Sequence, residues 1–322
     1  MDKNLDPIYK EIINEFNKDL AQAFLTEQQG LRRTLCTKIE EERKRKSKRE
    51  TKVITYYSKI EFPLQTEVMI NQWDIKSIYS TLQELPVNCD IELIIHTSGG
   101  LPQKAKQIIE FLRARVGGRN KLRVVVPEIA KSAGTLIALG ADRITMGLPS
   151  ELGPIDPQVP RSSGGQIQYV PAWSYIDAFK HLQENSKDDQ GNLKHEFYPL
   201  LASFDMPFYQ ICDNAVKETH QTAREFLSNG MFKRNRGVIE DIVSFFLYGS
   251  RPHEALINGR EAQQKLGRSR LEILNENDTL WRLYWELHCR TCGLLDKTSI
   301  VKLVEHSNGV LVRQVQLSPT PN

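Results

Sequence analysis

No run of eighteen apolar residues occurs anywhere in the 322-residue chain, so no membrane span is expected. The opening stretch, MDKNLDPIYKEIINEF, also lacks the apolar core of a secretory signal. Cysteine is scarce: there are five, an odd number scattered over a long chain. That argues against a disulfide framework and for reduced thiols and a cytoplasmic address. Charge of one sign is lacking too. Lys and Arg number 43 against 40 Asp and Glu, and a net charge of +3 is too small to mark a polyanion partner. Nucleotide fingerprints are missing, since no GK[ST] follows the one strand-ending glycine pair and no GxGxxG occurs. A single CxxC, Cys289 and Cys292, has neither a second pair nor a clear histidine partner. It reads as two helix residues, and no metal or organic cofactor is expected. Beyond alternating strand and helix patterns there is no internal repeat.

What is present is a chain that is 40% apolar, enough for a substantial core. Residues 1–50 read as charged helix, with an apolar stripe at Ile12, Ile13, Phe16, Leu20 and Phe24. RKRKSKR, residues 43–49, reads as a solvated helix end or linker. No aromatics interleave it, so nucleic acid is not an expected partner. From Val53 the texture changes. VITYY, IELII (91–95), LRVVV (122–126) and DRITM (142–146) read as strands. Between them lie helical stripes: Ile75, Ile78, Tyr79, Leu82 and Leu85, with Asp74 placed to cap; then Ala105, Ile108, Ile109, Leu112 and Val116, stopped by Gly117-Gly118; then the small-residue run after Ser132. This alternation predicts an α/β fold with a mostly parallel sheet. Helical patterns dominate from Trp173 to Phe246 and return at Leu280–Leu287.

Two turns carry chemistry. HTSGG (96–100) ends a strand in a glycine pair, which lets a carbonyl approach and points amides outward. It suits an oxyanion hole, and it equally suits a tight turn. Ser132 sits where LRVVV gives way to a helix. A serine there serves as a helix cap or as an exposed nucleophile, with the Ala133 amide beside it. On successive βα units, Gly99, Gly100, Ser132 and Ala133 make a candidate acyl-transfer site.

IELIIHTSGG, KSAGTLIALGADRITM and SELGPIDPQ together resemble the serine dehydrogenase proteinase family, a branch of the Clp-protease/crotonase-like fold related to signal peptide peptidase A. The likeness covers roughly residues 53–160, with a fainter echo at SRPHEALINGREAQQKLG (250–267). It implies a fold of ββα units with helical additions: an extension over 1–50, a peptidase domain over 51–275 and a second extension over 276–322. It implies Ser132 as nucleophile and Gly99 and Gly100 as the oxyanion region. The family's Ser, Asp, His order falls on Asp156 and His253. The related signal peptide peptidases use a serine–lysine dyad, for which Lys180 is the alternative base. Departures from the family pattern are Lys131 before the serine, T-S-G-G at the oxyanion strand and S-R-P-H-E-A at the histidine block. The function implied is a serine peptidase acting on peptides or proteins. Homo-oligomers are expected, with the N-terminal helix as a docking arm for a protein partner. A non-catalytic oligomeric binding module on the same fold stands as the alternative.

Overall fold

The computed structural model describes residues 7–163, 166–247 and 256–316. The chain opens with helices α1 (Pro7–Lys18) and α2 (Gln22–Ser47) and enters strand β1 (Thr51–Ser58). Helices α3 (Gln65–Val68) and α4 (Gln72–Glu84) lead to β2 (Asp90–His96), and α5 (Pro102–Val116) leads to β3 (Leu122–Val126) and β4 (Ile129–Ala130). Then come α6 (Ala133–Leu139), β5 (Arg143–Met146), β6 (Glu151–Leu152) and a hairpin of β7 (Gln158–Ser163) and β8 (Gln166–Pro171). A helical stretch follows: α7 (Ala172–Asn185), α8 (Tyr198–Ala202), α9 (Met206–Asn229) and α10 (Ile239–Leu247). The chain closes with β9 (Ile257–Asn258), α11 (Gly259–Leu266), β10 (Leu271–Ile273), α12 (Thr279–Lys297), β11 (Ile300–His306) and β12 (Val310–Gln314).

The main sheet runs β10-β5-β3-β2-β1-β11-β12. Its first five strands are mutually parallel, and β11 and β12 add an antiparallel edge. Both faces are covered, which is why the central strands are apolar without alternation. A smaller sheet, β4-β6-β9, gives the fold its unit. After β3 the chain adds two residues to it and enters α6; after β5 it adds β6; after β2, Thr97 bridges to Ala130 before α5. The units after β2 and β3 are thus a long strand, a short extended segment and a helix, the ββα construction, whereas after β5 and β6 the β7–β8 hairpin precedes α7.

One face of the sheet packs under α4, α5, α6, α9, α10 and α11. There Ile91, Leu93, Ile95, Val124 and Val126 join Ile109, Leu136, Phe226 and Phe246. The other face packs under α1, α2 and α12, where Val53, Tyr57, Ile94 and Val125 meet Phe16, Ile39, Tyr284 and Leu287.

Two expectations are corrected. The cap of α4 is Asn71, whose side-chain oxygen accepts from the Trp73 amide. Asp74 is the third residue of that capping box and also holds the buried Lys302 ammonium at 2.7 Å. The RKRKSKR run is not a solvated linker end either. It closes α2, and Arg43 is buried at 2.6 Å from the Glu92 carboxylate and 3.1 Å from that of Glu272. Arg49 lies 3.7 Å from Asp90 and Lys46 3.5 Å from Asp278, so much of the run is spent on acids of its own chain.

Candidate active site

The site forms at the carboxyl ends of β2 and β3, where parallel α/β sheets place their ligands. Thr97 and Lys131 tie the two turns together: the Thr97 amide donates to the Ile129 carbonyl at 3.0 Å, and the Lys131 amide donates to the Thr97 carbonyl at 3.1 Å.

Ser132 opens α6 with φ +50° and ψ −118°, a conformation L-residues rarely adopt. The Gly134 amide closes the turn on the Lys131 carbonyl at 2.7 Å. The Ser132 hydroxyl makes no capping bond, so the helix-cap reading fails on the one contact it needs. Holding a serine there costs about 1–3 kcal/mol, which surrounding contacts must offset. Thr135 supplies some of them: its hydroxyl reaches the Ala130 carbonyl at 2.7 Å and the Gly153 carbonyl at 2.9 Å.

The glycine pair is fitted against this turn. Gly99 has φ +109°, and a Cβ there would stand 2.7 Å from both the Lys131 carbonyl oxygen and the Ser132 Cβ. Gly100 has φ +151°, and a Cβ there would lie 2.2 Å from the Ile70 backbone nitrogen. The Gly99 amide donates to the Thr97 hydroxyl at 3.2 Å. Among the described residues, the Gly100 and Ala133 amides donate to no protein acceptor.

Asp156 is buried, four residues beyond β6, and already engaged in a polar interaction. Its loop is anchored beside the serine turn, since the Gly153 amide donates to the Ala130 carbonyl at 3.3 Å. His253 lies outside the described residues, but both flanks of its segment are placed. Phe246 accepts from the Ile155 amide at 2.9 Å, and Ile257 pairs with Leu152. Lys180 is exposed, with its ammonium 4.6 Å from the centre of the Trp173 ring. Lys131 is spent on Glu151 at 2.9 Å.

A second polar cluster, which sequence reasoning missed, lies where β2 ends under α12. His96 is buried, stacks on Tyr57 and meets the edge of His288 with ring centres 5.1 Å apart. Glu128 Oε2 lies 3.6 Å from His96 Nδ1 and 3.3 Å from His288 Nε2. The Cys292 sulfur lies 3.7 Å from the His288 ring nitrogens. Burial, with the neighbouring His288, pushes the His96 pKa down to about 3. The hydrogen bond from His288 pulls the Glu128 carboxyl below its usual value. No linear signal connects residues 96, 128, 288 and 292; only the fold brings them together.

Residues 20–197 match the family of ClpP-like SDH-type serine proteinases, and the chain belongs to that family. Its α/β core of ββα units is the ClpP-like fold. Two uncharacterized proteins of Methanocaldococcus jannaschii are similar to it in sequence. One is 38% identical over 148 residues, 45% of this chain and 48% of the relative. The other is 36% identical over 116 residues, 36% of each. The chain thus spans about half the length, or less, of these relatives. Among solved structures, the 1510-N membrane-bound stomatin-specific protease is matched in two forms, one in complex with a substrate peptide. They give TM-scores of 0.36 and 0.35 at 16% identity, covering 72% and 78% of this chain and 80% and 89% of theirs. An enoyl-CoA hydratase-like protein of Streptomyces coelicolor gives 0.34 at 12% identity, covering 76% of this chain and 75% of its own. Likenesses this distant decide nothing about the chemistry here. Among the described residues, no helix is long and apolar enough to cross a membrane.

Proposed function

We propose that the chain hydrolyses peptide bonds through an acyl-enzyme on Ser132. The observation that carries this is the Ser132 turn itself: a serine held at positive φ, free of any capping bond, with Gly99 pressed against it. This is the geometry of a nucleophile elbow. Ser132 Oγ attacks the substrate carbonyl carbon and His253 takes the hydroxyl proton. The tetrahedral oxyanion accepts from the Gly100 and Ala133 amides. Gly99, whose own amide serves Thr97, contributes close approach instead of a donor. Collapse expels the amine, which takes the proton from His253; water, deprotonated by the same imidazole, then releases the acid. Asp156 orients His253. The anchoring of Phe246 on Ile155 and of Ile257 on Leu152, just ahead of Asp156, supports that pairing. Peptide substrates follow from the family, and a cytoplasmic homo-oligomer is the working state.

The test is hydrolysis of an unfolded protein such as casein, with products followed by mass spectrometry. Ser132→Ala should lower kcat/KM by about 10³-fold or more while leaving the melting curve near that of wild type. His253→Ala should remove the limb of the pH–rate profile near neutrality. Cleavage that survives Ser132→Ala would overturn the proposal, and a well-folded wild type that cleaves nothing would favour the binding-module alternative.

A further inference from the structure

The buried cluster at the end of β2 is not used by the proposed peptidase chemistry, and its donor set is that of a metal site. His96, Glu128 and Cys292 each offer one ligand atom, and the three atoms lie within 4.8 Å of one another. In a tetrahedral zinc sphere, bonds of roughly 2.0–2.3 Å put neighbouring N and O atoms about 3.3 Å apart and N and S atoms about 3.6 Å apart. Here His96 Nδ1 and Glu128 Oε2 are 3.6 Å apart, and the Cys292 sulfur lies within 4.8 Å of both. His288, the outer partner, stands 3.3 Å from Glu128 Oε2 and 3.7 Å from the Cys292 sulfur. An independent sign comes from His96. The residue is 5% exposed, and its Nδ1 is buried with no hydrogen-bond partner. An orphaned buried nitrogen costs about 1–3 kcal/mol, and a ligand is one way to remove that cost. The Glu128 side chain is 41% exposed, which gives an ion a route in.

We propose that His96, Glu128 and Cys292 bind one divalent transition-metal ion of the zinc class, with His288 orienting the Glu128 carboxylate. Imidazole, carboxylate and thiolate together select such an ion over calcium or magnesium, which prefer oxygen. His288 is the outer partner that metal-bound ligands require. The role is structural. His96 directly precedes Thr97 and lies three residues before Gly99, and Glu128 directly precedes β4 and lies four residues before Ser132. Cys292 belongs to α12. One ion therefore pins the roots of both turns to the helix that covers them. The absent histidine partner that made the CxxC look inert is supplied by residues 96 and 288, far away or on the wrong spacing in the linear chain.

The test uses the full chain, stripped with EDTA and titrated with Zn²⁺ and, separately, Co²⁺. One equivalent should bind per chain, Zn²⁺ should raise the melting temperature of the wild type, and Co²⁺ should give a thiolate-to-metal charge-transfer band. Cys292→Ser should lose that band. Glu128→Gln, at a half-exposed position that tolerates change, should bind about 10-fold or more weakly. Ser132→Ala should bind metal like wild type, which keeps this result separate from the peptidase reading. Cobalt bound without a thiolate band, or wild-type melting indifferent to zinc, would overturn the site even if a variant fails to fold.

Discussion

Ser132 is held at φ +50°, and that strain is itself measurable. Glycine accepts this conformation freely, whereas alanine does not. Ser132→Gly should therefore be more stable than Ser132→Ala by about 1 kcal/mol, the relief of strain less the entropy of glycine. Chemical denaturation of the two inactive variants checks this, and equal stabilities would mean the turn is relaxed. Gly99→Ala should abolish activity and lower the melting temperature, because its methyl group would stand 2.7 Å from backbone and side-chain atoms of the serine turn. Wild-type activity in that variant would mean the two turns are less closely fitted than the structure describes. At this scale the sequence was readable up to a fork. KSAG named the residue, but cap and nucleophile share one pattern. Only the missing capping bond and the positive φ separate them. Nothing in the HTSGG pattern marks His96, whose buried Nδ1 has no hydrogen-bond partner.

At the scale of elements, the central strands and the helices α4, α5 and α6 were legible because apolar runs and 3.6-residue stripes are local signals. The second face of the sheet was not. It is fastened by a charged network that joins α2, β2, β3, β5 and β10. Arg43 and Arg123 reach both Glu92 and Glu272, and the Thr145 hydroxyl donates to Glu272. These partners lie tens to hundreds of residues apart, so the basic run at 43–49 looked solvated from the sequence. Burial works to raise the Glu272 carboxyl, but Arg123 and Arg43 outweigh it and hold the group below the 4.5 of a free glutamate. A depressed carboxyl contributes stability at pH values above its unfolded-state pKa and loses it as pH falls through the lower folded value. Wild-type stability should accordingly drop with acid below about pH 4.5. Glu272→Gln should lack that increment and be destabilised by about 1–2 kcal/mol at neutral pH. Urea denaturation from pH 3 to pH 7 gives the comparison, and parallel curves for the two proteins would contradict the assignment.

At the scale of the molecule, α1 and α2 look dispensable in composition and are not so in packing. Ile12, Phe16, Leu35, Cys36 and Ile39 are buried in the second core, and Arg32 pairs with the buried Glu305 at 2.8 Å. Each large apolar side chain contributes about 1.5–3 kcal/mol, so their sum rivals the roughly 5–15 kcal/mol that a whole domain possesses. A chain beginning at Thr51 should fail to give a cooperative, soluble fold, as circular dichroism melting will show; a truncated chain with a wild-type transition would contradict the packing. The family match, which starts at residue 20 inside α2, agrees with a helix integral to the domain. The charged surface of α2 hid this, because a helix whose buried positions include Gln28, Arg32, Glu40 and Arg43 shows little apolar stripe.

The central claim is that Ser132 is an activated nucleophile. Incubation of the purified chain with a fluorophosphonate, followed by intact-mass measurement and peptide mapping, tests it most directly. The account predicts one adduct per chain, located on Ser132 and absent from Ser132→Ala. A folded wild-type chain that takes no label, or takes it on another residue, would contradict the account.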